Sequence, residues 1–261
     1  MRATKRLALI GTGLALVATA AGAGAAQAED GGSGNITIDK VVVNGGKPVV
    51  VGTTNVVPVK VSVTASDDSG IVETTYISAY GPGPNYAQIW YDEGEITCVK
   101  ASTTTSTCTG TLLFDPKTGT GVDYNSAAGT WRLSTLVSAE DYDYIHRDAA
   151  TTFKVQRYSK LTVNASPEPV KKGKTITVTG KLSRANWEDN QYHGYTNQPV
   201  KLQFRKKGSN TYTTVKTIKS NSTGNLKTTV TASTDGYFRY SFAGSATTPA
   251  VNATGDFVDV Q

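Results

Sequence analysis

The sequence is poor in the side chains that usually carry chemistry. Among 261 residues there are two cysteines, two histidines, one methionine and three tryptophans. With only His146 and His193, a Cys/His zinc site is not expected. No Gly-x-Ser-x-Gly elbow, no His-Glu-x-x-His and no Ser-x-x-Lys in a helical context occurs. Carboxylate pairs exist, but a glycosidase must hold its pair around a bound sugar in a deep cleft, which small all-β units rarely form. The reading is therefore non-catalytic. After residue 28 no apolar run approaches the roughly 18 residues of a membrane-spanning helix. No basic run interleaves with aromatics, so nucleic acid is not an expected partner. Leucine and glutamate are also sparse, and no stretch shows a helical apolar period.

What the chain does have begins with a leader. Arg2, Lys5 and Arg6 precede an uncharged Ala/Leu/Gly run over 7–28 that closes on Ala26-Gln27-Ala28. A basic start, apolar middle and A-x-A site describe a secretory signal peptide. The expected mature chain starts at Glu29 and is secreted. Residues 29–35, polar and glycine-rich, read as a flexible lead.

The formal charge of +5 falls to +2 once Arg2, Lys5 and Arg6 are removed. Residues 29–157 hold 15 acidic and 9 basic side chains, net −6, whereas 158–261 hold 6 acidic and 14 basic, net +8. An acidic half suits a metal. A basic half suits an anionic cell-wall polymer or an acidic glycan, near Lys171, Lys172 and Lys174 or near Arg205, Lys206 and Lys207.

Apolar residues recur with a period of two. Val57, Val59, Val61, Val63 and Ala65 alternate with Pro58, Lys60, Ser62, Thr64 and Ser66, and Trp131, Leu133, Thr135, Val137 and Ala139 repeat the pattern. Such strands bury one face. In the first half strands are expected near 36–43, 57–66, 71–80, 86–91, 96–102, 107–114, 129–139 and 151–157. In the second they fall near 161–165, 175–182, 199–206, 213–219, 225–231, 236–242 and 256–260. The predicted fold is all-β, with two tandem immunoglobulin-like β-sandwiches over 36–157 and 158–261 joined by a short linker.

The second half carries a resemblance. Ala165-Ser-Pro-Glu-Pro-Val-Lys-Lys-Gly-Lys-Thr-Ile-Thr-Val-Thr-Gly-Lys-Leu, then Gln198-Pro-Val-Lys-Leu-Gln-Phe-Arg, Gly224 and Asp235-Gly-Tyr-Phe-Arg, resembles secreted actinobacterial immunoglobulin-like repeats. In the first half, Val63-Thr-Ala-Ser-Asp-Asp-Ser-Gly-Ile and Gly129-Thr-Trp-Arg-Leu are similar to extracellular bacterial immunoglobulin-like and cadherin-like modules. The resemblance implies the sandwich fold. Some streptomycete-like proteins of this kind are described as calcium-binding, so it also implies a possible calcium function.

Three constellations stand out. Cys98 and Cys108 flank a turn at 103–106 and are expected to face each other across a hairpin as a disulfide, worth about 3 kcal/mol or less for so short a loop. Asp67 and Asp68 lie in the turn between the second and third strands, and Glu140, Asp141 and Asp143 follow the strand that starts at Gly129. In the sandwich topology these turns share the free pole, where carboxylates and carbonyls can supply the six to eight hard oxygens of calcium. The alternative is plain turn chemistry, since Asp-Asp-Ser-Gly caps its own backbone. The third is aromatic. Tyr80 to Tyr86 with Trp90 and Tyr91, and the loop holding Trp187, Tyr192 and Tyr195, could form sugar-stacking platforms or could cover the ends of a sandwich. The leading expectation is a monomeric, secreted, calcium-binding surface protein. A carbohydrate or wall-polymer module comes second and a purely structural spacer third.

Overall fold

A computed structural model describes residues 30–82, 88–90 and 96–261, with the side chains of residues 73–75 and 90 left aside. The expected signal peptide and its cleavage site lie outside the described residues, as does most of the first aromatic loop. The first half contributes strands β1 (Gly31–Ser33), β2 (Thr37–Val43), β3 (Val49–Val51), β4 (Val57–Ser66), β5 (Ile71–Tyr80), β6 (Gln88–Trp90), β7 (Thr97–Lys100), β8 (Thr105–Phe114), β9 (Gly129–Ala139) and β10 (Tyr144–Arg157). One sheet runs β2-β4-β8-β7. The other runs β10-β9-β5-β6, with β1 antiparallel and β3 parallel to β10. In immunoglobulin lettering these are A-B-E-D facing G-F-C-C′, with β3 as the short A′ segment. The strand order itself makes the first half an immunoglobulin-like sandwich.

The second half repeats the plan with β11 (Ser159–Leu161), β12 (Asn164–Ser166), β13 (Thr175–Asn186), β14 (Gln191–Gly194), β15 (Pro199–Lys206), β16 (Thr213–Lys219), β17 (Asn225–Thr231), β18 (Gly236–Phe242), β19 (Val251–Asn252) and β20 (Asp256–Val258). Strands β11 and β12 follow one edge of β13 in a single register, and β17 and β14 pair along its other edge. The facing sheet runs β16-β15-β18, with β19 and β20 both on β18. Val170 bridges Val260 in parallel, again in the A′ position.

Alternation builds both cores. Val59, Val61, Val63 and Ala65 from β4 meet Trp131, Leu133 and Val137 from β9, with Phe114 edge-on to Trp131 at 5.2 Å. The Trp131 indole N–H, which could not be left unpaired in such a core, donates to the Ala127 carbonyl at 2.7 Å. Cys98 and Cys108 are paired residues of the β7–β8 hairpin and form the expected disulfide.

Several segments depart from expectation, two of them at the ends of the sandwiches. The lead expected to be flexible is ordered from Asp30: Gly31–Ser33 pairs with Tyr144–His146 because β10 begins at Tyr144, seven residues earlier than alternation suggested, and offers a free edge. The break expected near 183–198 is a hairpin. Strand β13 continues to Asn186 and returns through β14. Ile176, Val178 and Leu182 on β13 face the second core, while Ala185 and Trp187, of opposite parity, enter the first.

This hairpin joins the sandwiches. Trp187 is only 2% exposed, and its indole N–H donates to the Gly52 carbonyl at 3.1 Å. Asn125 accepts from the Trp187 backbone N–H and donates to the Asn186 side-chain oxygen. With its amide turned to donate, Asn190 reaches the carbonyls of Pro116 at 2.7 Å and Thr53 at 2.8 Å. Arg157, buried at the end of β10, donates through Nε to the Ala185 carbonyl at 2.6 Å. Burial, and after it the neighbouring Arg184, lower its pKa to about 10, which still leaves a cation at neutral pH.

Trp187→Ala should therefore destabilise the first sandwich as well as the seam, by about 3–5 kcal/mol as for other buried tryptophans. Calorimetric melting is the check. An unchanged profile would mean that Trp187 is not part of the first core.

Candidate metal centre

The acidic pole is built by three turns. Parity explains the first. Asp67 follows β4 in the inward register of Val59, Val61, Val63 and Ala65, so the strand that fills the core ends by pointing a carboxylate into it. Asp67 is 4% exposed. Its Oδ1 accepts from the Ser69 backbone N–H at 2.8 Å and the Ser69 hydroxyl at 2.6 Å, an Asx turn that the positive φ of Gly70 completes. Its Oδ2 is buried and has no hydrogen-bond partner.

The β7–β8 turn supplies the second wall. The Thr104 carbonyl accepts from the Asp67 N–H at 2.9 Å, and a Cβ added to Gly70 would stand 2.9 Å from the Thr103 carbonyl oxygen. Glycine is needed here for that close approach and for its φ of +103°. The β9–β10 turn closes the third side. The Glu140 N–H donates to the Gly70 carbonyl, and the Asp141 N–H donates to the Ser69 hydroxyl at 3.3 Å.

Of the five acidic residues singled out in the sequence, the structure gathers three. Carboxylate oxygens of Asp67, Asp68 and Asp141 lie within 4.8 Å of one another. The other two turn away. Glu140 pairs with Lys100 at 3.1 Å, and Asp143 accepts the Asn35 N–H through Oδ2 at 2.9 Å, fastening the N-terminal segment that precedes β2. The donor set fits a hard divalent cation: all oxygen, one member desolvated with a free lone pair, two open to solvent, and backbone carbonyls close by.

The aromatic constellation has a different outcome. Trp187 is enclosed in the first core and offers no face to a sugar. Tyr192 packs against that core with its ring covered by the Lys160 ammonium at 3.5 Å, and Tyr195 lies under the Arg184 guanidinium at 3.9 Å. The proposed glycan contact of Trp187, Tyr192 and Tyr195 is corrected at Trp187, which is buried in the first core; the half-buried Tyr192 packs against the first core and the half-buried Tyr195 against the second.

The histidines have partners that the sequence did not reveal. His146 Nε2 lies 3.3 Å from Ser134 Oγ and 3.5 Å from Asp148 Oδ1, and Ser134 donates to the same Asp148 oxygen at 3.2 Å. Serine and acid thus face one imidazole nitrogen, whereas an activating relay needs them on opposite nitrogens. Ser134 is also wholly buried. His193 pairs with Asp189 at 2.6 Å, stapling the β13–β14 turn.

No family model matches this chain, and no curated protein matches it. Among solved structures, a DUF4785 family protein from Legionella pneumophila is 16% identical with a TM-score of 0.34, over 79% of this chain and 51% of that one. The Yersinia pseudotuberculosis adhesin InvE is 14% identical with a TM-score of 0.28, over 84% of this chain and 58% of that one. The chain spans little more than half the length of either. The D0-D1 domain of intimin is 14% identical with a TM-score of 0.26, over 85% of this chain and 98% of that one. Likeness of this size carries no functional assignment.

In the presence of chelator, Asp67→Asn should melt higher than the parent. The amide replaces an orphaned, charged oxygen by a neutral donor in a side chain close to the Asp68 and Asp141 carboxylates, relieving a cost of about 1–3 kcal/mol. A fall of that size would show that Oδ2 is satisfied without metal.

Proposed function

We propose that this chain is a secreted, non-catalytic surface protein whose first sandwich binds one calcium ion at its distal pole through Asp67, Asp68 and Asp141. The observation that carries the reading is Asp67, whose Oδ2 is buried and unpartnered and whose carboxylate lies within 4.8 Å of two others. A desolvated anion next to like charges is costly, and a divalent cation removes both the desolvation and the repulsion. Calcium is favoured over magnesium because the ligands come from two loops and include exposed side chains, an irregular shell that suits the larger ion. Zinc would ask for nitrogen or sulfur, which the pole lacks among the described residues.

The disulfide supports an oxidising compartment, and the apolar leader supports export. The resemblance of the second half to secreted actinobacterial repeats points the same way. In this reading the ion locks the β4–β5 and β9–β10 turns together and gives the pole one shape outside the cell, where calcium is plentiful.

Thermal melting of the purified protein in EDTA, then in millimolar calcium or magnesium, tests the proposal. A site with a Kd near 0.1 mM should add about 2 kcal/mol at about 5 mM calcium, a rise of several degrees, and magnesium should add much less. Asp141→Asn should abolish the rise. Asp143→Asn should leave it, since that carboxylate faces Asn35. Identical curves with and without calcium would remove the metal reading.

A further inference from the structure

The second sandwich presents one sheet face on which cations and aromatic rings are laid in rows. On β15 and β18 the even positions, Leu202, Phe238 and Tyr240, face the core, so the odd positions face outward. Register places Arg205 opposite Tyr237, Tyr237 opposite Phe257, and Gln203 opposite Arg239. Phe204 pairs with Thr213, which brings Tyr212 alongside Arg205. The Arg205 guanidinium stands 4.1 Å from the Tyr237 centroid and 5.3 Å from that of Tyr212. Arg239 stands 3.8 Å over the same Tyr212 ring, and the Lys207 ammonium lies 5.4 Å from Phe257. Tyr237 and Phe257 are themselves in contact, with centroids 5.1 Å apart.

The stacking fixes the guanidinium planes. Arg205 Nη1 donates to the Ser209 carbonyl at 2.6 Å, and Arg239 Nε donates to Gln203 Oε1 at 2.9 Å, so each side chain is anchored by one N–H. Among the described residues no carboxylate makes an ion pair with either arginine. The acids of this sheet are engaged elsewhere: Asp235 takes Lys207 and the Val260 N–H, and Asp256 takes the Ala165 N–H. Two guanidinium groups are thus held as diagonal neighbours, roughly 7–8 Å apart at the backbone, without a counter-charge. In the acidic sandwich, by contrast, Arg147 and Lys100 each have a carboxylate partner.

We propose that this face binds an acidic polysaccharide, whose carboxylates pair with Arg205 and Arg239 and whose sugar rings lie against Tyr237 and Phe257. The repeated, preorganised guanidinium forks match anions repeated along a chain. The adjoining rings match the apolar faces of pyranoses, which a polyol phosphate does not offer. The site lies on the other sandwich from the metal centre and does not rest on calcium.

The test is isothermal titration of the purified protein in EDTA, so that no cation bridges ligand and protein, with polygalacturonate, linear polyphosphate and neutral dextran. Polygalacturonate should bind and dextran should not. R205Q/R239Q should weaken polygalacturonate about tenfold or more, while K171Q/K172Q, of equal net charge, should change it less than about twofold. Phe257→Ala should weaken polygalacturonate and leave polyphosphate unchanged. Equal losses in the two double variants, or polyphosphate binding as tightly as polygalacturonate, would reduce the face to an unspecific basic surface and overturn the proposal. If the double arginine variant does not fold, Arg239→Lys keeps the charge but loses the stacked fork, and undiminished binding by it would overturn the proposal equally.

Discussion

The distal pole depends on antiparallel strand pairing. Strand β4 pairs with β8 over its whole length, and β5 pairs with β9 in the facing sheet. Because β8 starts at Thr105 opposite Ser66, the end of β4, and β9 ends at Ala139 opposite Ile71, the start of β5, the β4–β5, β7–β8 and β9–β10 turns all emerge at the end away from Arg157, where β10 leaves for the second sandwich. Residues 67, 104 and 141 are far apart in sequence, yet this pairing puts them within hydrogen-bonding reach of one another's turns. The disulfide, set in the β7–β8 hairpin, secures the strand pair that carries one of the three.

Pairing determines position, and parity determines chemistry. A strand that places Val59, Val61, Val63 and Ala65 inward cannot avoid directing residue 67 inward as well. With a carboxylate there, the apolar core ends in a buried charge. The Asx turn to Ser69 satisfies one oxygen and leaves the other without a donor. A turn that needed only to reverse the chain would be served by an exposed aspartate. The burial of Asp67 therefore sets it apart from an ordinary turn residue and is what supports its proposed role as a ligand, a distinction that a list of acidic positions does not contain.

Much of this could be read from the sequence. Strands 57–66, 71–80, 129–139, 199–206, 213–219, 225–231 and 236–242 have the observed bounds, because alternation flanked by glycine, asparagine and proline is a strong local signal. The disulfide and the shared pole followed from the same pattern. The inward register of Asp67 was equally present, as one further step of the alternation from Val59. Less legible were segments whose structure depends on a distant partner. Gly31–Ser33 and Val49–Val51 form strands only because β10 offers an edge. The hairpin beyond Leu182 is ordered by the first core, which its own sequence does not announce. Trp187 and Tyr192 resembled part of a platform for the same reason: an aromatic that packs into another unit's core looks exposed until that unit is in place. The row of Tyr212, Arg205, Tyr237 and Phe257 is assembled from three strands and a loop, so only register reveals it.

The two sandwiches share a topology and differ in electrostatics. The first gathers acids at a pole and pairs Lys100 and Arg147 with carboxylates; the second holds Arg205 and Arg239 stacked on aromatic rings with no ion pair among the described residues. Trp187, Arg157 and Asn190 make contacts between the two. The central claim is that the carboxylate stranded at the end of β4 is a metal ligand. Equilibrium dialysis of chelator-stripped protein against radioactive calcium tests it most directly. The account predicts saturable uptake of one ion per chain, lost in Asp67→Asn. Uptake that is absent up to about 5 mM, or that survives this substitution, would contradict it.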